Sequence, residues 1–273
     1  MSDCRYSLFD RLINIQKKNG SEEFIHMLFK QGRMHPEISS FSNEIFYEKK
    51  LKPIPLKHQL EILHCPSYDK SDGLQNLIAS HRLAFIVSKG DKNPISDKTN
   101  KDEAIRISAL LKTIYTINKN NFNPQTVGVI VPYRNQIALI RKEIKQLNIP
   151  ALSDITIDTV ERYQGSERDF IIYGFTVQKI YQLEFLTGNV FKDNGQTIDR
   201  KLNVVLTRAR KQLFLIGNPQ ILSYNIIFQK LIKFIDNRQG VCDIPTEYFI
   251  QGKFSCSPAD KTSVPDSRQK LNV

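Results

Sequence analysis

Residues Asp199 to Asn218 read DRKLNVVLTRARKQLFLIGN. Leu202, Val205, Leu206 and Ala209 fall at helical spacing and form one apolar stripe. Asp199 stands where a helix N-cap belongs. The run Leu213–Phe214–Leu215–Ile216 is a short, wholly apolar strand that stops at Gly217. The expected unit is a helix that carries Arg208 and Arg210 and runs straight into a buried strand. A guanidinium beside the end of a parallel strand suits phosphate, because it is planar, always charged and forked. A surface helix with ordinary basic residues would satisfy the same stretch, so the neighbouring segments must decide.

Outward from this unit, strand and helix alternate. Leu83–Val87, Val127–Val131, Ile155–Val160 and Phe170–Val177 read as apolar strands. Between them, Lys101–Asn118 and Arg134–Leu147 carry helical stripes, and Asn218–Pro219 opens a last helix expected to reach about Asp236. Near-continuous apolar strands separated by helices imply an α/β fold, a parallel sheet with helices on both faces. Residues 1–80 read as a helical N-terminal segment packed on that core, with helices at Ser7–Ile15 and Pro36–Tyr47. Residues 81–240 form the core domain, and residues 241–273, rich in polar residues and proline toward their end, read as a largely disordered tail.

Composition sets limits. The 273 residues suffice for one large domain, and 40% hydrophobic with 25% charged residues is ordinary globular composition. A net charge of +11 favours an anionic partner, most simply nucleic acid. No apolar run approaches a membrane span, and MSDCRYSLFDRL lacks the pattern of a signal peptide. Cys4, Cys65, Cys242 and Cys256 are scattered, as reduced structural thiols would be, with no metal-binding spacing. A cytoplasmic location without membrane partners is the expectation.

Three further segments carry candidate chemistry. Gly32–Arg33–Met34–His35–Pro36 precedes a helix; His35 reads as a helix-entry residue, and Arg33 as a cation with no obvious carboxylate neighbour. In Val131–Pro132–Tyr133–Arg134 a buried strand gives way to a helix. Ligands of open α/β sheets bind at such carboxyl ends. There Tyr133 offers a face for a base and Arg134 a charge for a phosphate. Thr159–Val160–Glu161–Arg162–Tyr163–Gln164–Gly165–Ser166–Glu167 lies between two strands. Gly165 permits close backbone approach, Gln164 and Glu167 can hydrogen-bond a sugar or base edge, and Thr159 can hold a backbone phosphate. A charged hairpin is the alternative for this last segment.

The order GRMHP, then VIVPYRNQ, then TVERYQGSERD, then RKLNVVLTRAR resembles the late motifs of superfamily 1 helicases. The group is the one that includes the nonsense-mediated-decay RNA helicase and the Okazaki-fragment helicase-nuclease. The likeness covers roughly residues 5–222. It implies a RecA-like domain, the second of the two that close on ATP in that family. Carried over by motif, Arg208 and Arg33 resemble the catalytic arginines facing the γ-phosphate, although Gly32 stands where the family usually has Tyr. Gln164, Gly165 and Glu167 resemble the nucleotide-binding and coupling residues. Thr159, Pro132 and Tyr133, with Arg134 beside them, resemble the residues that hold single-stranded DNA or RNA. Arg210 either supports the helix or binds phosphate.

The P-loop pattern G-x-x-x-x-G-K-[ST] occurs nowhere in the chain; Gly252–Lys253 is followed by Phe254. No apolar strand ends in an Asp-Glu pair, and no carboxylate cluster suggests a metal site or a nuclease. The resemblance therefore implies half of an ATP site, with Mg2+ held by a first RecA-like domain on an upstream segment or a separate chain. Ser7–Leu12 resembles the family segment just past that domain. The chain alone is expected to be inactive. A non-catalytic nucleic-acid-binding or partner-binding module is the alternative.

Overall fold

The computed structural model describes residues 8–63, 68–69, 72–91, 94–188, 190–193 and 196–251. The N-terminal part contains α1 (Leu8–Lys18), β1 (Lys30–Gln31), α2 (Pro36–Phe46), β2 (Lys52–Pro53), α3 (Lys57–Leu60) and α4 (Gly73–Ser80). The core follows with β3 (Leu83–Val87), α5 (Lys101–Ile117), β4 (Val127–Ile130), α6 (Arg134–Gln146), β5 (Thr156–Asp158) and β6 (Arg168–Gly174). Next come α7 (Leu183–Thr187), β7 (Val190–Asp193), β8 (Gln196–Asp199), α8 (Arg200–Leu206) and β9 (Ala209–Gly217). The chain then forms α9 (Pro219–Leu222), α10 (Ile226–Asp236), β10 (Val241–Cys242) and α11 (Thr246–Gln251).

Six strands make one sheet in the order β10-β3-β9-β6-β4-β5, and every neighbouring pair is parallel. Successive strand residues point to opposite faces. Phe85, Ile171, Tyr173 and Leu215 project to one face and share a core with Phe41 of α2, Val205 of α8 and Phe228 of α10. Ile86, Val129, Ile172 and Phe214 project to the other and share a core with Leu74 of α4, Leu110 of α5 and Ile140 of α6. A parallel sheet buried on both faces is the RecA-like α/β architecture expected from the alternation. Beside it lie a two-stranded parallel pair, β1–β2, and an antiparallel pair, β7–β8.

The segment from β5 to β6 steps over β4, and both strands pair with β4 rather than with each other. It is therefore a crossover and not a hairpin. A crossover this short usually cannot hold a helix. It folds instead as tight turns, with Tyr163 N–H on Thr159 O (3.0 Å) and Ser166 N–H on Tyr163 O (3.1 Å). Tyr163 packs flat against the sheet because β4 has Gly128 beneath it. A Cβ at Gly128 would stand 1.6 Å from the Tyr163 hydroxyl. Tyr163 is fully buried and its hydroxyl has no hydrogen-bond partner. Burial pushes its pKa up to about 12.

Several boundaries differ from the sequence reading. The helix carrying the arginines ends at Leu206, with Thr207 as its C-cap, donating through Oγ1 to Val204 O (3.0 Å). Arg208 thus lies in the turn, and Arg210 lies within β9, whose pairing with β6 already begins at Ala209. Pairing with a central strand overrides the helical stripe. The last helix is broken: Asn225 caps a new helix through its Oδ1, at 2.9 and 3.1 Å from the N–H groups of Ile227 and Phe228. The stretch from 241, expected as tail, begins with β10 paired to β3 and continues into α11. Arg106 of α5 is fully buried and anchors this end. It donates to Asp102 (2.8 Å), Ile244 O (2.7 Å) and Thr246 Oγ1 (3.0 Å), and lies 4.5 Å from the Phe249 ring centre. A buried guanidinium needs such a full set of acceptors. Residues 252–273 of the expected tail lie outside the described residues. In the N-terminal part, α2 buries Ile38 and Phe41 in the core, whereas Leu8, Phe9, Leu12 and Ile15 of α1 are exposed rather than packed.

Candidate nucleotide cluster and nucleic-acid groove

Three distant segments meet at the amino ends of β6 and β9. Asp199 caps α8 by accepting the Leu202 N–H (2.9 Å), which sets where the helix stops and where Arg208 falls. The Arg208 carbonyl accepts the Arg168 N–H (3.2 Å), fixing the turn to β6. The Arg208 guanidinium donates to Val204 O (3.0 Å) and Ser166 O (3.3 Å) and is buried. Burial lowers its pKa, and the nearby Arg33 charge lowers it further, with Glu167 opposing.

Arg33, between β1 and α2, donates from Nε to Glu167 Oε2 (2.6 Å) and from Nη1 to Thr207 O (3.1 Å). Arg33 therefore does have a carboxylate neighbour, Glu167, far along the chain and invisible to local reading. Two guanidiniums beside one carboxylate leave a net positive site, which fits the terminal phosphate of a nucleotide. Gly165 adopts φ +87 with open space where a Cβ would stand, and Gln164 beside it is exposed. His35 is not part of the cluster. It caps α2, its Nδ1 accepting the Glu37 N–H (3.3 Å), and burial lowers its pKa. Arg210 also stands apart, with Nε 3.6 Å from Asp169 Oδ1.

The carboxyl ends of β4 and β5 open into a groove of roughly 910 Å³ lined by Pro132, Tyr133, Arg134, Thr159, Tyr181 and Phe185. Tyr133 does not offer a free face. It is 9% exposed and stacks on Phe185 at 4.8 Å between ring centres and 23° between planes. Lys201 Nζ lies 4.6 Å from the Phe185 ring centre and 3.1 Å from Glu161 Oε1. The Thr159 N–H is taken by Asp158 Oδ1 (2.8 Å). Arg134, at the first position of α6, is exposed.

Beneath the groove lies a polar layer that sequence reading missed. Gln136 is fully buried and grips Asn100 twice, accepting its N–H (2.8 Å) and donating to its carbonyl (2.9 Å). Asn100 in turn caps α5. Glu103 is fully buried and accepts the Thr176 N–H (2.8 and 3.0 Å) and the Ser88 hydroxyl (3.3 Å). Burial raises its pKa well above the ordinary glutamate value. Thr176 holds φ 60, a left-handed conformation rare for a β-branched residue. Only the spacing of Gln136 after the strand end hinted at this layer; nothing local marks Glu103, Tyr181 or Phe185.

The two ends are joined by one segment. Thr159 sits in the groove and Glu167 in the arginine cluster, with Tyr163 between them against Gly128.

With this arrangement in view, comparison with known proteins is decisive about kinship. A family model described as AAA domain matches residues 4–220, and the chain belongs to this family. It is a superfamily 1 helicase domain. Three curated relatives are similar across most of it. An uncharacterized ATP-dependent helicase of Methanocaldococcus jannaschii is 29% identical over 85% of the chain and 32% of the relative. The DNA replication ATP-dependent helicase/nuclease DNA2 of Homo sapiens is 25% identical over 88% of the chain and 22% of the relative. The Regulator of nonsense transcripts 1 homolog of Drosophila melanogaster is 26% identical over 85% and 18%. The chain thus spans about a fifth to a third of the length of these relatives. Among the described residues no helix is long and apolar enough to cross a membrane.

Proposed function

We propose that this chain is the C-terminal motor domain of an ATP-dependent DNA or RNA helicase. Arg208 and Arg33 would face the γ-phosphate, Gln164, Gly165 and Glu167 would bind and couple the nucleotide, and Thr159, Pro132, Tyr133 and Arg134 would border the single-strand groove. ATP would bind against a first RecA-like domain that brings the P-loop and holds Mg2+. ATP supplies the phosphoryl group whose hydrolysis drives the motor. This chain's part is to present two guanidiniums to charge developing on that group, and to hold them in place beforehand.

The observation that carries the reading is the pairing of Arg33 and Arg208 around Glu167 at an exposed edge. Two cations held this close favour an anion between them. Glu167 holds Arg33 while Val204 O and Ser166 O hold Arg208, so both are oriented before a phosphate arrives. Tyr133, being covered by Phe185, would shape the groove wall rather than stack on a base itself.

The test is single-strand-stimulated ATP hydrolysis by the chain alone and with a P-loop domain from a relative. Turnover is expected only in the mixture, and to vanish with Arg208→Ala. Turnover by the isolated chain would overturn the half-site reading. Single-strand binding with no turnover in either sample would favour the non-catalytic binding module, which the lack of a P-loop in this sequence also favours.

A further inference from the structure

Two aromatic side chains project into the groove at a place no motif marks. Tyr181 is 55% exposed and Phe185 48% exposed. They stand four residues apart, Tyr181 in the turn leading into α7 and Phe185 within it, so their side chains are neighbours on one helical surface. Large exposed aromatics side by side in a cleft are unusual on a surface with no ligand to cover them. Both are held in position. Phe185 is backed by the buried ring of Tyr133 and flanked by Lys201. The Tyr181 hydroxyl donates to the Asp97 carboxylate, which Lys179 also engages at 3.1 Å.

Charge completes the pattern. Arg134 and Arg162 line the same groove, and the Arg162 side chain is 65% exposed. Of the carboxylates there, Asp97 is neutralised by Lys179 and Glu161 by Lys201. Glu184 also lines the groove. Fixed aromatic surfaces beside exposed cations are what a single strand needs: π-faces for its bases and charges for its phosphates.

We propose that Tyr181 and Phe185 form a base-stacking platform for unpaired nucleotides, extending the strand track from Arg134 and Thr159 along α7. The inference rests on the reading of the groove as a nucleic-acid site and names the part of the strand this wall takes. Every base has a π-face, so the platform selects unpaired bases without selecting sequence. Arg162 and Arg134 engage the phosphates on either side of the stacked bases.

Fluorescence anisotropy of the full chain with short oligothymidylate and oligouridylate tests this, against an abasic oligonucleotide of the same length. The wild-type chain is expected to bind base-bearing strands about tenfold more tightly than the abasic strand. Tyr181→Ala combined with Phe185→Leu is expected to erase that preference and leave the salt dependence unchanged. Arg162→Gln should keep the preference and flatten the salt slope by about 0.7, the loss of one phosphate contact on a single strand. Equal binding of abasic and base-bearing strands by the wild-type chain, or a preference that survives the double substitution, overturns the platform alone. No single-strand binding by the wild-type chain overturns the groove reading beneath it. Thymidylate and uridylate binding with the same preference would show that the platform reads bases; a preference confined to one of them would assign the contact to the sugar and count against it.

Discussion

The two ends of the central sheet are built from different materials. At the amino ends of β6 and β9, Arg33, Glu167 and Arg208 crowd charge into a small space, with main-chain carbonyls holding the guanidiniums. At the carboxyl ends of β4 and β5, aromatic rings form a wall and the cations are spaced along it. Concentrated charge suits a compact polyanion such as a phosphate tail, whereas an aromatic wall with dispersed charge suits a long strand with flat faces. The two sites share one crossover, Thr159–Glu167, which a tyrosine presses onto a glycine in the sheet.

The largest expected effect isolates the amino end. In the reconstituted ATPase, Arg208→Ala should lower turnover by about 10³-fold or more and leave single-strand affinity within about twofold, since it lies at the opposite end from the groove. Equal loss of both functions would mean that the ends are not separate sites. Gly128→Ala should break both together. The new methyl group cannot coexist with the Tyr163 ring, so the crossover must lift, with an expected loss of about 1–3 kcal/mol in denaturant unfolding. Unchanged stability would show that the crossover is not seated on β4.

A smaller effect should come from Glu103, under the groove end. Its pKa is raised by burial, so the folded chain prefers it protonated. At pH below the ordinary value of 4.5 both folded and unfolded states are protonated and this contribution is complete. Stability is lost as pH rises from there toward the raised folded value. Thermal unfolding of Glu103→Gln should therefore show less decline over that rise than the wild type, while glutamine still accepts the Thr176 N–H. A parallel decline in both proteins would sink this account. Smallest of all is Tyr163→Phe. Its hydroxyl is buried without a partner, so removal should be neutral or stabilise by up to about 1 kcal/mol. A marked destabilisation in chemical unfolding would reveal a partner for that hydroxyl.

Legibility differed between the two ends for a physical reason. The strands and the long helices α5 and α6 follow local periodicity and were readable because each buries its own stripe. The groove's motif residues were readable too, since Pro132 and Arg134 mark a strand-to-helix junction. Tyr181 and Phe185 were not, because nothing in a short turn and helix tells a buried aromatic from an exposed one. Arg33 was read as lacking a carboxylate because Glu167 is remote in sequence. Arg210 was placed on a helix because its neighbours fit a helical stripe, yet pairing with β6 drew it into a strand.

The sequence by itself determined the alternation of strand and helix, the basic character of the chain and the order of motifs, since these follow from spacing and composition. Only the tertiary structure decided which side chains meet. It placed Arg33 on Glu167, covered Tyr133 with Phe185, seated Tyr163 over Gly128 and buried Glu103 beneath Thr176. Each of these contacts joins residues remote along the chain, and they are brought together by packing against a shared sheet rather than by any local preference.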